Sequence, residues 1–373
     1  MTVETEGPDR ATDPTWHCLH VYYYEPDKDR LILDAVRPAF QQVRSRVAGL
    51  YLARHWRRGP HLRLFAKADR ETWARLVRPR ITAVVGDYLA AHPSTAEPDL
   101  EHDLAQHRVL ARREREHGPL TPWLPDNSIH EQPYDTRSHV IRSAETGELM
   151  ASLASDGTHL LFRMLDRTRV GTDAKDLIAL ELMLATTVAA CPPVTAGFAS
   201  YRSHAEGFLF SCGDPDAVRA AFDAHYDAHR EAFVARTRAV LTGLDGGAPT
   251  TPYARRWAAV CRDHGRRVDP LVERGLVFPP LPAEPPATPP HAPVHALVFG
   301  DRAYRETVFR DPAFLRHRFL LNCTYLQIGR LGLTPFQRFR TCHAAANAVE
   351  EVHGLAAVDV IRTSAEFHPN VAT

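Results

Sequence analysis

Neither sign of charge is in surplus in this chain: lysine plus arginine and aspartate plus glutamate each number 45. That balance leaves no global field to draw in nucleic acid or a membrane surface. No window approaches the ~18 apolar residues that a membrane span requires. The polar opening MTVETEGPDRATDPTW has no signal-peptide core and reads as disordered. Cysteine is sparse. Cys18, Cys191, Cys212, Cys261, Cys323 and Cys342 are scattered without a C-x-x-C pair, so they read as buried thiols of a cytoplasmic protein, not as disulfides or a zinc site. Lysine is nearly missing, and almost every cation is arginine. High-GC coding produces that bias, and arginine is also the better partner for planar carboxylates.

Familiar catalytic signatures are missing too. There is no G-x-x-x-x-G-K-S/T and no G-x-G-x-x-G, so nucleotide phosphates have no recognisable cradle. No G-x-S-x-G elbow and no H-E-x-x-H occur. His225 and His229 stand four apart on a helical stretch, half of a metal site with no third ligand nearby in sequence, and read as a solvated helix face. His291 and His295 share the spacing, but one falls in a proline-rich stretch. No metal is expected.

What the chain does have is an apolar content of 44%, enough for a real core. Residues 16–25 (WHCLHVYYYE) alternate as a strand does, and DKDRLILDAVRPAFQQVRSRV has helical spacing. GLYLARHW and HLRLFAKA form two strands around the turn RRGP. A helix follows from Asp69, a good N-cap. The order β-α-β-β-α predicts a split α+β layer with an antiparallel hairpin. Residues 95–140 look less regular, and the remainder is mostly helical, with final helices near 310–333 and 335–353 joined by GLTP. Ahead of these final helices, 279–293 (PPLPAEPPATPPHAP) reads as an extended, exposed tether. The expected organisation is a disordered tail, 1–14, and one domain, 15–373. No internal repeat is visible.

On the hairpin, Tyr51, Ala53 and His55 share one face and Leu52, Arg54 and Trp56 the other. Arg57, Arg58, His61 and Arg63 crowd the turn and the returning strand. They suit a solvated basic face or a carboxylate cradle, and periodicity does not separate the two. Tyr134, Asp135, Arg137 and His139 fall in a turn-rich stretch; Tyr201, Ser203, His204 and Glu206 stand beside a glycine break. In CTYLQIGRLGLTPF, Tyr325, Gln327 and Arg330 look outward from a helix that ends at Gly-Leu-Thr-Pro.

These segments together resemble a known family over residues 15–355. ARHWRRGPHLRLFAK resembles the I-R-Y-x-D-P-x-P-H-L-R-L-R signature of the glutamate-elimination domain of lanthipeptide dehydratases. The opening TWHCLHVYYYEPDKDRLILDAVRPAF is similar as well. LLNCTYLQIGRLGL sits where that domain carries L-L-H-M-x-x-N-R-L-x-G. In such domains the histidine of this motif removes the α-proton of a glutamylated Ser or Thr. Here Tyr325 takes that place, Gly329 replaces the asparagine, and Arg330 is retained. Arg63 keeps the first arginine of L-R-L-R, with Phe65 at the second. Tyr134 is retained from Y-E-P-E-x-x-R-Y-G-G, while Arg137 stands for its catalytic Glu and Val140 for the next Arg.

This pattern of departures resembles the thiopeptide pyridine synthases. The resemblance implies an elimination-domain-like fold and a cofactor-independent enzyme acting on a precursor peptide that carries a leader, thiazoles and two dehydroalanines. A formal aza-(4+2) cyclisation, then loss of water and leader, would leave a pyridine and close a macrocycle. In that setting Tyr325 would orient or protonate the reacting amide, and Arg330 and Arg63 would stabilise charge on oxygen. His139 or His204 would serve the later losses, near Tyr134. Tyr201, Gln327 and His61 would contact substrate. Leader binding would fall to Arg54, Arg57 and Arg58 or to the Arg-rich helix 251–276. A split elimination subunit and an inactive peptide-binding scaffold are the competing readings.

Overall fold

The computed structural model describes residues 13–248, 251–279, 293–300 and 306–366. The expected tail lies outside these apart from Asp13 and Pro14. So does the expected tether apart from Pro279 and Pro293, the latter opening a helix. The described residues form two compact units, those within 13–140 and 154–166 and those within 141–153 and 167–366.

The first unit is built on four strands, β1 (Thr15–Tyr22), β2 (Gly49–His55), β3 (His61–Ala68) and β4 (Ser128–Gln132), in the order β2-β3-β1-β4. Each neighbouring pair is antiparallel. With helices after β1 and β3, this is the β-α-β-β-α-β arrangement of ferredoxin-like folds. The hairpin and both helices match expectation. β4 and α3 (Leu100–Glu114) correct the reading of 95–140 as irregular. Alternation puts Leu19, Val21, Leu50, Leu52, Leu62 and Leu64 on one face, all buried against the helices.

Both helices carry a widened turn. α1 comprises Asp29–Leu31, a π-turn Ile32–Val36 and Arg37–Val43; α2 comprises Arg70–Thr72, a π-turn Trp73–Val77 and Arg78–Ala91. Asp69 caps α2 through the Thr72 amide at 2.8 Å. Each π-turn ends at Val-Arg-Pro. Pro38 and Pro79 lack an N–H and crowd the carbonyl one turn back, so the preceding amides, Arg37 and Arg78, reach five residues back to Ile32 and Trp73. The two halves of this unit are therefore more alike than the sequence suggested.

The second unit is helical. Its axis is α6 (Lys175–Ala190), buried almost all round; before it in the chain come α4 (Ala144–Asp156), mostly in this unit, and α5 (Thr158–Arg169), mostly in the first. Around it stand α7 (Ala199–Phe210), α8 (Pro215–Leu244), α9 (Ala254–Glu273), α10 (Pro293–Gly300), α11 (Pro312–Leu331), α12 (Pro335–His353) and α13 (Ala357–Glu366). A buried hydroxyl pair, Thr186 and Thr324 at 2.7 Å, ties α6 to α11, and the Trp257 indole donates to Thr186 at 3.0 Å. Glu181, fully buried, accepts from the amides of Tyr253 and Ala254 at the start of α9 and from Arg236. Its charge thus meets a helix N-terminus. α11 stops at Gly332 with φ +103°, and Thr334 and Gln337 form a reciprocal capping box that starts α12. Among the described residues no single helix is long and apolar enough to cross a membrane.

Candidate active site

The second face of the sheet is polar and yet covered. Register places His20, Arg63 and Ala53 in one row, and Tyr22, His61 and His55 in the next. His61 is fully buried, and its Nδ1 donates to the Gly59 carbonyl at 2.8 Å. That bond fixes the tautomer, so Nε2 is a lone pair, and it accepts from Arg63 Nε at 3.3 Å. Gly59 can supply the carbonyl because it takes φ +107°, where an added Cβ would stand 2.7 Å from the Tyr24 hydroxyl. Arg63 is itself 7% exposed, and its two terminal nitrogens make no hydrogen bond among the described residues. A buried cation with an open fork is a site for an oxygen ligand.

The imidazoles around it are neutral. Burial, reinforced by Arg63 and His55, holds His20 down at about 3. Burial also lowers His55, to about 4 against the pull of Glu116, and depresses His61 strongly. Glu116 is the one carboxylate buried beside them. Burial pushes it up, but His55, Arg137 and Arg63 outweigh that and hold it at about 2. Arg137 NH2 reaches it at 3.0 Å, from a backbone in the left-handed region at φ +50°.

The predicted arginine cradle does not form on this hairpin. Arg54 points to the helix-covered face and pairs with Asp29. Arg57 donates to the His117 carbonyl and faces Glu116, while Arg58 donates to the Pro122 carbonyl at 3.0 Å. Arg57 and Arg58 hold the loop 116–124. Tyr134 joins Tyr51 and stacks beside Trp16. His139 is exposed, edge-on to His117 at 4.7 Å.

In the second unit the expectation that Tyr325, Gln327 and Arg330 look outward is overturned: they are 7%, 1% and 4% exposed. Nor do they face one way. Gln327 accepts from Arg330 at 2.6 Å, whereas Tyr325 meets His204 of α7 and Cys342 of α12. The Cys342 thiol donates to the phenol oxygen at 3.4 Å, so the phenol proton is directed to His204 Nδ1, 2.7 Å away. His204 then carries its own proton on Nε2, which has no partner among the described residues. Burial, with the charges of Arg318 and His317, keeps His204 neutral, at about 3; burial and Cys342 hold Tyr325 well above its usual value. His204 is therefore no near-neutral titrating group. It lies inside α7, not beside a break.

Tyr201 is a core side chain, fully buried, its hydroxyl engaged by Thr187 and by the Met183 carbonyl at 2.8 Å. Its expected substrate contact is thus ruled out by packing. His225 faces Asp176 at 3.1 Å, and His291 lies outside the described residues. Among the described residues no three His, Cys, Asp or Glu side chains gather as metal ligands do. Glu116, His20 and Cys342 were missed: a glutamate in the run RRERE looks solvated, and a lone thiol carries no signal.

The family described as lantibiotic biosynthesis dehydratase, C-terminal, matches residues 16–349. Among solved structures the chain is similar to the pyridine synthase TbtD from thiomuracin biosynthesis. They share 35% identity over 91% of this chain and 99% of that one, at a TM-score of 0.73. It is also similar in fold to TsrL, at 22% identity over 94% and 98% of the two chains, with a TM-score of 0.68. No curated protein matches the sequence.

Proposed function

The chain belongs to the lantibiotic dehydratase C-terminal family, and from that premise we propose that it is a thiopeptide pyridine synthase. It joins two dehydroalanines of a thiazole-containing precursor peptide in a formal aza-(4+2) cyclisation, then expels water and the leader to leave the aromatic ring. The observation that carries this reading is the end-to-end likeness, at 35% identity, to a protein whose own name is pyridine synthase. The replacement of the elimination histidine by Tyr325 agrees with it.

The cyclisation needs an amide to become its iminol, so a proton must be offered to the oxygen and one removed from nitrogen, with water excluded. Holding the two alkenes together supplies much of the acceleration, an effect of ~7–11 kcal/mol in favourable cases. A strong base is not required. The Cys342–Tyr325–His204 chain suits the lesser task. His204 presents Nε2–H as a neutral donor, and the phenol proton on Nδ1 polarises it as the donated bond strengthens. Arg330, on the same helix as Tyr325, is the cation the second unit offers to charge developing on oxygen, and Arg63, with its open fork, is the one the first unit offers. His139 is left as an exposed group for the departure of water and leader. The reading is of a lyase-type, cofactor-independent enzyme in the cytoplasm, whose partner is the modified precursor with its leader.

The test is incubation with a dehydrated, thiazole-containing precursor, followed by mass spectrometry. Loss of water together with release of the leader is the expected result. Free glutamate released from a glutamylated peptide would assign an elimination subunit instead, and an unchanged but bound peptide a scaffold.

A further inference from the structure

A pocket of about 350 Å³ opens in the second unit between the end of α9 and the start of α11. Val272, Val277, Phe278, Phe309 and Leu315 give it an apolar wall. Among the described residues its charged lining is two arginines, Arg310 and Arg318, with no acidic residue. The Arg318 guanidinium lies over the Phe278 ring, 4.3 Å from its centre. Arg318 is half-buried and has neither hydrogen bond nor ion-pair partner among the described residues, whereas Arg219, Arg230, Arg236, Arg316 and Arg340 of the same unit each stand beside a carboxylate. A desolvated cation above an aromatic ring, at the edge of an apolar cavity, is complementary to one chemistry: a carboxylate with apolar neighbours.

Position ties this pocket to the chemistry. Arg318 and Tyr325 stand seven residues apart on α11, two turns along one helix face, roughly 10 Å by helix rise. The field of Arg318 reaches His204, where it is the largest influence after burial. We propose that the pocket binds an acidic side chain of the precursor peptide on Arg318, with the flanking aliphatic side chains against Phe278, Phe309 and Leu315. Docked there, the peptide is tethered within a few residues of the Tyr325–His204 pair. That this peptide is a substrate rests on the functional reading above; the pocket's preference for a carboxylate does not.

The experiment compares two short fluorescein-labelled peptides, one of leucine and glutamate and one with glutamine in each glutamate position, by fluorescence anisotropy on the full chain. The glutamate peptide binds the wild type more than about tenfold tighter, the strength of a hydrogen bond to a charged group. Arg318→Gln erases that preference. Leu315→Glu, which places a carboxylate beside an intact Arg318, erases it as well. Circular dichroism of both variants establishes that they are folded, and raised ionic strength weakens only the glutamate peptide. Equal binding of the two peptides by the wild type, or a preference that survives both substitutions, overturns the proposal. The two failures are separable. Carboxylate-selective binding without pyridine formation overturns the functional reading alone, and pyridine formation without such selectivity overturns the pocket alone.

Discussion

The phenol of Tyr325 lies 2.7 Å from Nδ1 of His204, and the same oxygen accepts the thiol of Cys342 at 3.4 Å. Three side chains from three helices thus share one line of protons. Tyr325→Phe removes its middle while keeping the ring in the core. Pyridine formation by that variant falls about 10²-fold or more, the usual worth of a positioned proton donor, with leader affinity unchanged. Single-turnover mass spectrometry and a binding titration read the two quantities separately. Cys342→Ala costs far less, because it removes a weak donor only.

The rate of cyclisation is flat with pH from about 5 to 9. His204 is already neutral above its value of about 3, and Tyr325 stays protonated through that range. No group in the chain changes charge there. A rate limb centred between pH 6 and 7 would rule the chain out as the donor.

His61 holds Arg63 at Nε, so in the proposed mechanism its effect on substrate runs through Arg63. Arg63→Gln lowers kcat/KM by about 10²-fold, as loss of a donor to a developing oxyanion does. His61→Ala lowers it less, since the guanidinium survives but is no longer held at Nε. The double variant is no slower than Arg63→Gln alone, because the two residues form one unit. Multiplying losses in that cycle would separate them.

The first unit loses stability in acid in two stages. His20 and His55 have folded values of about 3 and 4 against 6.5 when unfolded, so below pH 6.5 the unfolded chain binds more protons than the folded one. Stability is full above pH 6.5 and declines until about pH 3. Glu116, at about 2 against 4.5, adds a second decline as pH falls from 4.5 to 2. Urea unfolding at several pH values, followed by the tryptophans of this unit, shows both stages.

Glu116→Gln destabilises the first unit by about 3 kcal/mol, because Arg57 and Arg137 keep their charges around a neutral amide. The loss is smaller at pH 2, where the carboxylate is itself half protonated. Equal losses at pH 2 and pH 7 would show that shape, not charge, is what Glu116 contributes.

The hairpin was legible because its signals are local: period-two alternation, the RRGP turn, and a register that keeps Tyr51, Ala53 and His55 together. β4 was not. SIHEQ is five residues long, and its only pairing partner, β1, lies more than a hundred residues upstream. α3 escaped for a different reason: of its fifteen residues only His107 is buried, so it has no apolar stripe to detect. At the site, polarity was read as exposure. Tyr325 and Arg330 are polar residues buried on α11; Arg330 leans on Gln327 of the same helix, but the partners of Tyr325, His204 and Cys342, sit on helices that nothing local connects to α11. The same error worked in reverse at Arg54, Arg57 and Arg58, which looked like free cations and are structural ties.

The strand order β2-β3-β1-β4 carries a consequence for synthesis. Only the β2–β3 hairpin joins neighbours in sequence. β1 pairs with strands that are translated later, and its second edge stays open until residue 132 has left the ribosome. For that interval the β1 border of the nascent sheet lacks its partner, and an unpaired border is the feature through which β-rich chains associate with one another. The polar α3 fills fifteen residues of that wait, a stretch that can be made without adding to the sticky surface.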